Sequence, residues 1–156
     1  MAERKNSTVF WRLLFLAYCA IMLCLLLGRS NGWIEGLAYN EQLRQNANLQ
    51  PFFTIQNYWY ILRFSANAAL LKHCLINLVG NIILFIPAGW LFPVIWPKLK
   101  NFFRFFALAF GLIFLIETAQ LLTLLGSFDV DDIILNLFGM TTGHILYAIF
   151  RIKKKT

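Results

Sequence analysis

Charge is what this sequence has least of: Asp, Glu, Lys and Arg together make up 13% of it, and the acids number only seven. Soluble domains carry about 25% charged residues, so the surface of an ordinary water-facing domain is excluded. Cysteine is scarce too. Cys19, Cys24 and Cys74 fall in or beside apolar runs, without the paired spacing of a disulfide framework or of a metal site, and read as free thiols. Nine glycines and four prolines are too few for a low-complexity chain. The sequence also lacks a phosphate-binding glycine loop, a His-rich metal motif and a sequence-local nucleophile.

Apolar residues fill the space that charge leaves. They make up 60% of the chain, against about 45 to 50% in soluble domains, and mean hydropathy is +0.65. This is the composition of a membrane protein. Lys and Arg outnumber Asp and Glu by 14 to 7, but the bases gather at the ends of apolar runs, as they do when they anchor and orient membrane segments. No nucleic-acid partner is expected; the lipid bilayer is.

Four runs predict an all-α integral membrane protein, a four-transmembrane-helix bundle in a single domain over 1–156, with spans at about 9–28, 74–96, 103–126 and 131–150. The first run follows Arg4, Lys5 and Arg12 and ends Leu27-Gly28-Arg29, without a small-residue cleavage site, and reads as an uncleaved signal anchor. Cys74 to Trp96 has no charge in 23 residues, where about 20 suffice to cross a bilayer core. Pro87 removes a backbone donor there and predicts a kink near Ile83 to Gly89. The third run contains Glu117 and Gln120, and the fourth is closed by Arg151, Lys153, Lys154 and Lys155.

Between the first two spans, Arg29 to Lys72 forms the long connection. Its first half, with Asn31, Gly32, Glu35, Asn40, Glu41, Arg44, Asn46 and Asn48, reads as a surface loop with a short helix at Glu41 to Asn48. From Pro51 it mixes aromatics, amides and bases, which suits the headgroup layer. Residues 51–72 thus form either an outer interfacial segment or a re-entrant one.

Ten of the fourteen bases fall before span one, between spans two and three, or after span four; Arg29, Arg44, Arg63 and Lys72 spread over the long loop. The positive-inside rule then gives a multi-pass protein of the cell membrane with both termini cytoplasmic, and with the loop and Ser127 to Asp132 outside.

Polar residues sort to that outer end. Asn77 and Asn81 share a face of span two, Glu117 and Gln120 a face of span three, and Asp132, Asn136, Gly139 and Gly143 a stripe of span four. A charge at the bilayer centre costs about 2.5 to 3.5 kcal/mol on insertion scales, so these faces should turn toward one another. The ligand-binding candidates are Asn77, Asn81, Glu117, Gln120, Asp129, Asp131, Asp132 and Asn136; the catalytic candidates are Glu117, Asp131 and Asp132. Each has a structural reading as well. Asp129 suits an N-cap, Asp132 suits the first turn of a helix, and the amides suit interhelical hydrogen bonds. Gly139 and Gly143 suit close helix packing. His144 lies toward the opposite end, and His73 suits the interface.

Four ordered blocks carry a family resemblance: Asn48-Leu-Gln-Pro51-Phe52-Phe-Thr54-Ile55; Asn77-x-x-Gly80-Asn81-x-x-x-Phe85-x-Pro87-x-Gly89; Glu117-x-x-Gln120; and Ser127-Phe128-Asp129-x-Asp131-Asp132-x-x-x-Asn136-x-x-Gly139. Over roughly Asn48 to Gly143 the chain resembles the VanZ-like family. That family takes its name from an accessory protein of glycopeptide-resistance clusters that lowers susceptibility to teicoplanin, a lipoglycopeptide. The resemblance implies a related role in the envelope. Where the family often has a base between its Glu/Gln pair and its acidic turn, this chain has Leu121 to Gly126.

Three functions follow as expectations. The first is a non-enzymatic envelope protein whose aromatic loop (Trp33, Tyr39, Tyr58, Trp59, Tyr60) and outward acidic pocket alter how a lipoglycopeptide meets the membrane. The second is an intramembrane enzyme acting on a lipid-linked cell-wall precursor, and the third a non-catalytic helix-packing subunit. The balance leans away from an enzyme. No cofactor is evident, and a divalent cation is the one that carboxylates and amide oxygens would suit.

Overall fold

The computed structural model describes residues 2–27 and 35–153, with side chains over 9–25 and 35–151. Arg29, Asn31, Gly32, Trp33, Lys154 and Lys155 lie outside the described residues, as do the side chains of Arg4, Lys5 and Lys153. Six α-helices are described: α1 (Ala2–Leu27), α2 (Tyr39–Gln45), α3 (Phe53–Phe64), α4 (Ala68–Ile95), α5 (Phe102–Thr123) and α6 (Val130–Lys153). A 3-10 turn, Pro97–Lys100, joins α4 to α5. Two short strands, β1 (Ala47–Asn48) and β2 (Phe128–Asp129), pair in parallel.

Three helices are long and apolar enough to cross a membrane: Ala68–Ile95, Phe102–Thr123 and, within α6, Val130–Arg151. In α1 the described apolar stretch is shorter, Val9–Leu25. The chain is an all-helical membrane protein, helices being a form in which a backbone can meet its own hydrogen-bonding needs in lipid.

The tightest packing joins α4 to α6 along glycines. A methyl added at Gly89 would overlap the Met140 carbonyl, one at Gly139 the Ile82 carbonyl, and one at Gly143 the Ile86 carbonyl. Lipid tails are as apolar as leucine, so helices in a bilayer associate by such close backbone approach rather than by escaping solvent. The packing role expected for Gly139 and Gly143 is what they have. On its other flank α6 meets α5, where Phe105 stacks on His144 with ring centroids 4.3 Å apart and Phe105, Ala109 and Ile113 are fully buried.

Helix α1 leans on α4. Its Phe15 ring lies 5.5 Å from Phe92 and 5.3 Å from Trp96, and the Tyr18 hydroxyl donates to the Leu84 carbonyl at 2.7 Å. That bond falls beside the point where Pro87 leaves the Ile83 carbonyl without its usual donor. Helix α4 nevertheless runs unbroken past Pro87 and Pro93.

Several boundaries differ from the sequence expectation. Helix α4 begins at Ala68 rather than 74 because Asn67 caps it, accepting from the N–H groups of Ala69 and Leu70 at 3.0 and 3.3 Å. Helix α5 stops at Thr123 rather than 126, where Leu124 takes a left-handed conformation with φ of 55°. The short helix expected at 41–48 is α2, ending at Gln45 before β1. Within 51–72 lies α3, none of whose residues is buried.

Candidate functional site

The acidic turn binds the long connection at two levels. At the first, β1 and β2 pair Ala47 with Phe128 and Asn48 with Asp129, and the Phe128 N–H donates to the Asn46 carbonyl at 2.8 Å. At the second, the Asp129 side chain gathers three donors. Its Oδ1 accepts from the Asp131 N–H at 2.8 Å and from Asn48 Nδ2 at 3.3 Å, and its Oδ2 accepts from the Thr54 hydroxyl at 2.6 Å. The first of these bonds is the N-cap of α6.

Asp131 is fully buried, and it serves a different helix. Its carboxylate accepts from the backbone N–H of Phe52 and, at 3.0 Å, from that of Ile55. Phe52 stands at the N-cap position of α3 with a φ of 65° and no capping side chain of its own. A hydrophobic residue cannot satisfy the free N–H groups at a helix start, so α6 supplies the missing acceptor. Both α3 and α6 therefore point their N-terminal ends at Asp129 and Asp131.

Below the turn, α6 bridges its two neighbours. Asn81 on α4, 3% exposed, donates from Nδ2 to Asp132 Oδ1. One turn along, Asn136 Nδ2 donates to Glu117 Oε1 on α5 at 3.4 Å, with both residues 3% exposed. Asn136 Oδ1 is buried with no hydrogen-bond partner among the described residues.

All four sequence blocks thus meet at one end of the helices, each positioned by another. The VanZ/LLP1 family model matches residues 15–151. The chain belongs to that family. No curated protein and no solved structure matches it.

Six of the eight candidate residues of this VanZ/LLP1 chain join the two sets of contacts: Asp129 and Asp131 in the turn, and Asn81, Asp132, Glu117 and Asn136 below it. Asn77 bonds its own helix, donating to the His73 carbonyl at 2.9 Å with the His73 ring nitrogen 3.1 Å away. Gln120 packs over Gly126, where an added methyl would lie 3.1 Å from its Cβ. His144 is at the other end, its Nε2 3.1 Å from the Leu99 carbonyl oxygen.

Of the catalytic candidates, Asp131 has both carboxylate oxygens engaged by backbone N–H groups, which is the work of a cap. Glu117 and Asp132 each face an amide on another helix. Among the described residues, no group of three or more His, Cys, Asp or Glu is arranged to hold a metal ion.

Four contributors escaped the sequence reading as site residues. Asn48 and Thr54 lie in the first block but are bonded to Asp129, and Asn48 Nδ2 also reaches the Thr54 hydroxyl at 3.0 Å. Gln42, in a stretch that reads as surface loop, is fully buried and donates to the Leu37 carbonyl at 3.1 Å. Its one sequence signal is its place on α2 between Leu37 and the first block. Tyr39, named only for stacking, ties α2 to the end of α5 by donating to the Leu122 carbonyl at 2.7 Å.

Proposed function

We propose that this VanZ/LLP1 chain is a multi-pass cell-membrane protein that lowers susceptibility to lipoglycopeptides such as teicoplanin, acting at an outward-facing acidic end. The observation that carries the reading is the family match over 15–151. On this reading α1 is the fourth span. Its apolar stretch Val9–Leu25, at about 1.5 Å per residue, covers roughly 25 Å of a ~30 Å hydrocarbon core, and the helix continues beyond it at both ends. Both termini face the cytoplasm, as the distribution of bases supports.

Helix α3 lies in the outer headgroup layer, with Phe53, Trp59, Tyr60 and Phe64 exposed by 50 to 65% and Arg63 beside the Phe64 ring. It is held there by Asp131. A lipoglycopeptide inserts its tail into the outer leaflet, so its sugars and peptide lie at the level of α3 and the acidic turn. Expression in a susceptible Gram-positive host tests the reading. Teicoplanin susceptibility should fall more than vancomycin susceptibility, and equal protection against both drugs would remove the basis for the mechanism.

A second reading, an enzyme for a lipid-linked cell-wall precursor, draws on one observation: a buried carboxyl, Glu117, beside a buried Asn136 oxygen that lacks a donor. Turnover of a purified lipid-linked precursor, lost in Glu117→Gln, would favour it over the first.

A further inference from the structure

Two adjoining cavities open between α1 and α5, one beside the connection from α4 to α5 and the next farther along the helices. The larger, about 590 Å³, is lined by Phe15, Phe92, Trp96, Lys98, Leu108 and Leu112 among others. The smaller, about 350 Å³, continues past Tyr18, Met22, Phe85, Ile113, Ile116 and Met140. Phe15, Phe92 and Leu112 line both, so the two form one groove. It arises because α1 leans on α4 through Phe15 and Tyr18 and leaves α5 uncovered.

The groove is apolar along its length and basic at one end. Lys98, fully outside the uncharged stretch Cys74 to Trp96, stands at its mouth. Trp96, 43% exposed, sits beside it, as tryptophans do at headgroup level. Exposed Lys100 and Arg104 follow on the same segment.

We infer that this groove holds one acyl chain of an anionic phospholipid, with the phosphate against Lys98. The dimensions fit such an occupant. From Leu108 to Ile116 the α5 wall rises roughly 12 Å at about 1.5 Å per residue, close to the half of a ~30 Å hydrocarbon core that one leaflet's chains occupy. The volumes are those of small-ligand sites, about 300 to 1,000 Å³, whereas a second helix is about 10 to 12 Å across and needs a broader trough. The lipid comes from the leaflet on the Lys98 side, so the inference is independent of the proposed drug resistance.

The test uses the full chain in mild detergent, offered equal amounts of dioleoyl phosphatidylglycerol and dioleoyl phosphatidylcholine, with retained lipid counted by native mass spectrometry. The protein should retain one phosphatidylglycerol in preference to phosphatidylcholine. Lys98→Gln should cut that preference about fivefold, the weight of one base near an anionic lipid surface. Leu112→Phe, which fills the shared wall, should reduce retention of both lipids, and Lys100→Gln should leave the preference nearly unchanged. Equal retention of the two lipids by the unaltered protein would overturn the inference. So would an equal loss with Lys100→Gln, or undiminished retention in a folded Leu112→Phe protein.

Discussion

Asp131 caps the helix whose N-cap position is Phe52, 79 residues earlier in the chain. Caps are ordinarily supplied by the residue at the helix start itself. Here the cap comes from a different helix, so the orientation of α3 is tied to α6 rather than to its own flanking loop.

Asp131→Ala should therefore loosen α3 first. Hydrogen bonds to a charged group contribute about 1.5 to 3 kcal/mol, and exchange at the amides of Phe52 and Ile55 should speed up by about ten- to a hundredfold in hydrogen-exchange mass spectrometry. Asp131→Asn keeps one acceptor and should fall between. Unchanged exchange over 52–64 in Asp131→Ala would remove the capping role.

Asp129 and Thr54 should be energetically coupled. Asp129→Ala loses the α6 cap, typically about 0.5 to 2 kcal/mol, and strands the Thr54 hydroxyl as well. A double-mutant cycle with Thr54→Val, read by thermal unfolding in detergent, should give a coupling of about 0.5 to 3 kcal/mol. Strict additivity would mean that the 2.6 Å contact contributes nothing.

Glycines inside the long helices divide into two classes. Gly139→Ala and Gly143→Ala push into carbonyls of α4, and each should cost about 1 to 3 kcal/mol, the usual penalty of overpacking. At Gly80 and Gly111 an added methyl meets nothing within 4 Å among the described residues. Alanine there should be neutral or stabilising by up to about 1 kcal/mol, because glycine is a poor helix former. Thermal midpoints of the four variants, compared side by side, decide the matter.

The functional test belongs on Asp132 and Glu117. Asp131→Ala confounds loss of function with loss of α3, whereas Asp132→Asn and Glu117→Gln keep shape and hydrogen-bonding reach. Both should lose protection against teicoplanin, down to the level of cells without the gene, at undiminished membrane expression. Retained protection in both variants would separate the polar contacts from the activity.

Single cysteines report the topology, in a background lacking Cys19, Cys24 and Cys74. Exposed Gln50, changed to cysteine, should react with an impermeant thiol reagent in whole cells. Exposed Lys100, changed likewise, should react only after lysis. The reverse pattern would invert the proposed orientation.

The long apolar runs and the acidic turn were legible because both are local: uncharged length marks the helices, and three aspartates in four residues mark the turn. That Asn81 meets Asp132 was foreseeable from helical spacing and the cost of polar groups in lipid. The partner of Asp131 was not, since no periodicity relates α6 to Phe52. The start of α4 was missed for another reason. Lys72 and His73 suggested a boundary, but a base in the first turns of a span reaches the interface along its own stem, and Asn67 had already begun the helix. Leu124 gives no sign of its left-handed turn, since a leucine at φ 55° is uncommon in any sequence.

The seam of Gly89, Gly139 and Gly143 has a consequence for how the protein is made. Helix α4 leaves the ribosome with its closest neighbour still unsynthesised, because α5 comes between them in the chain. The contacts of α4 with α1, through Phe15 and Tyr18, need no later helix, but the glycine seam cannot close until α6 arrives. That same late helix brings Asp131 to α3. A nascent chain arrested before Val130 therefore lacks both the partner of Gly89 and the cap of α3.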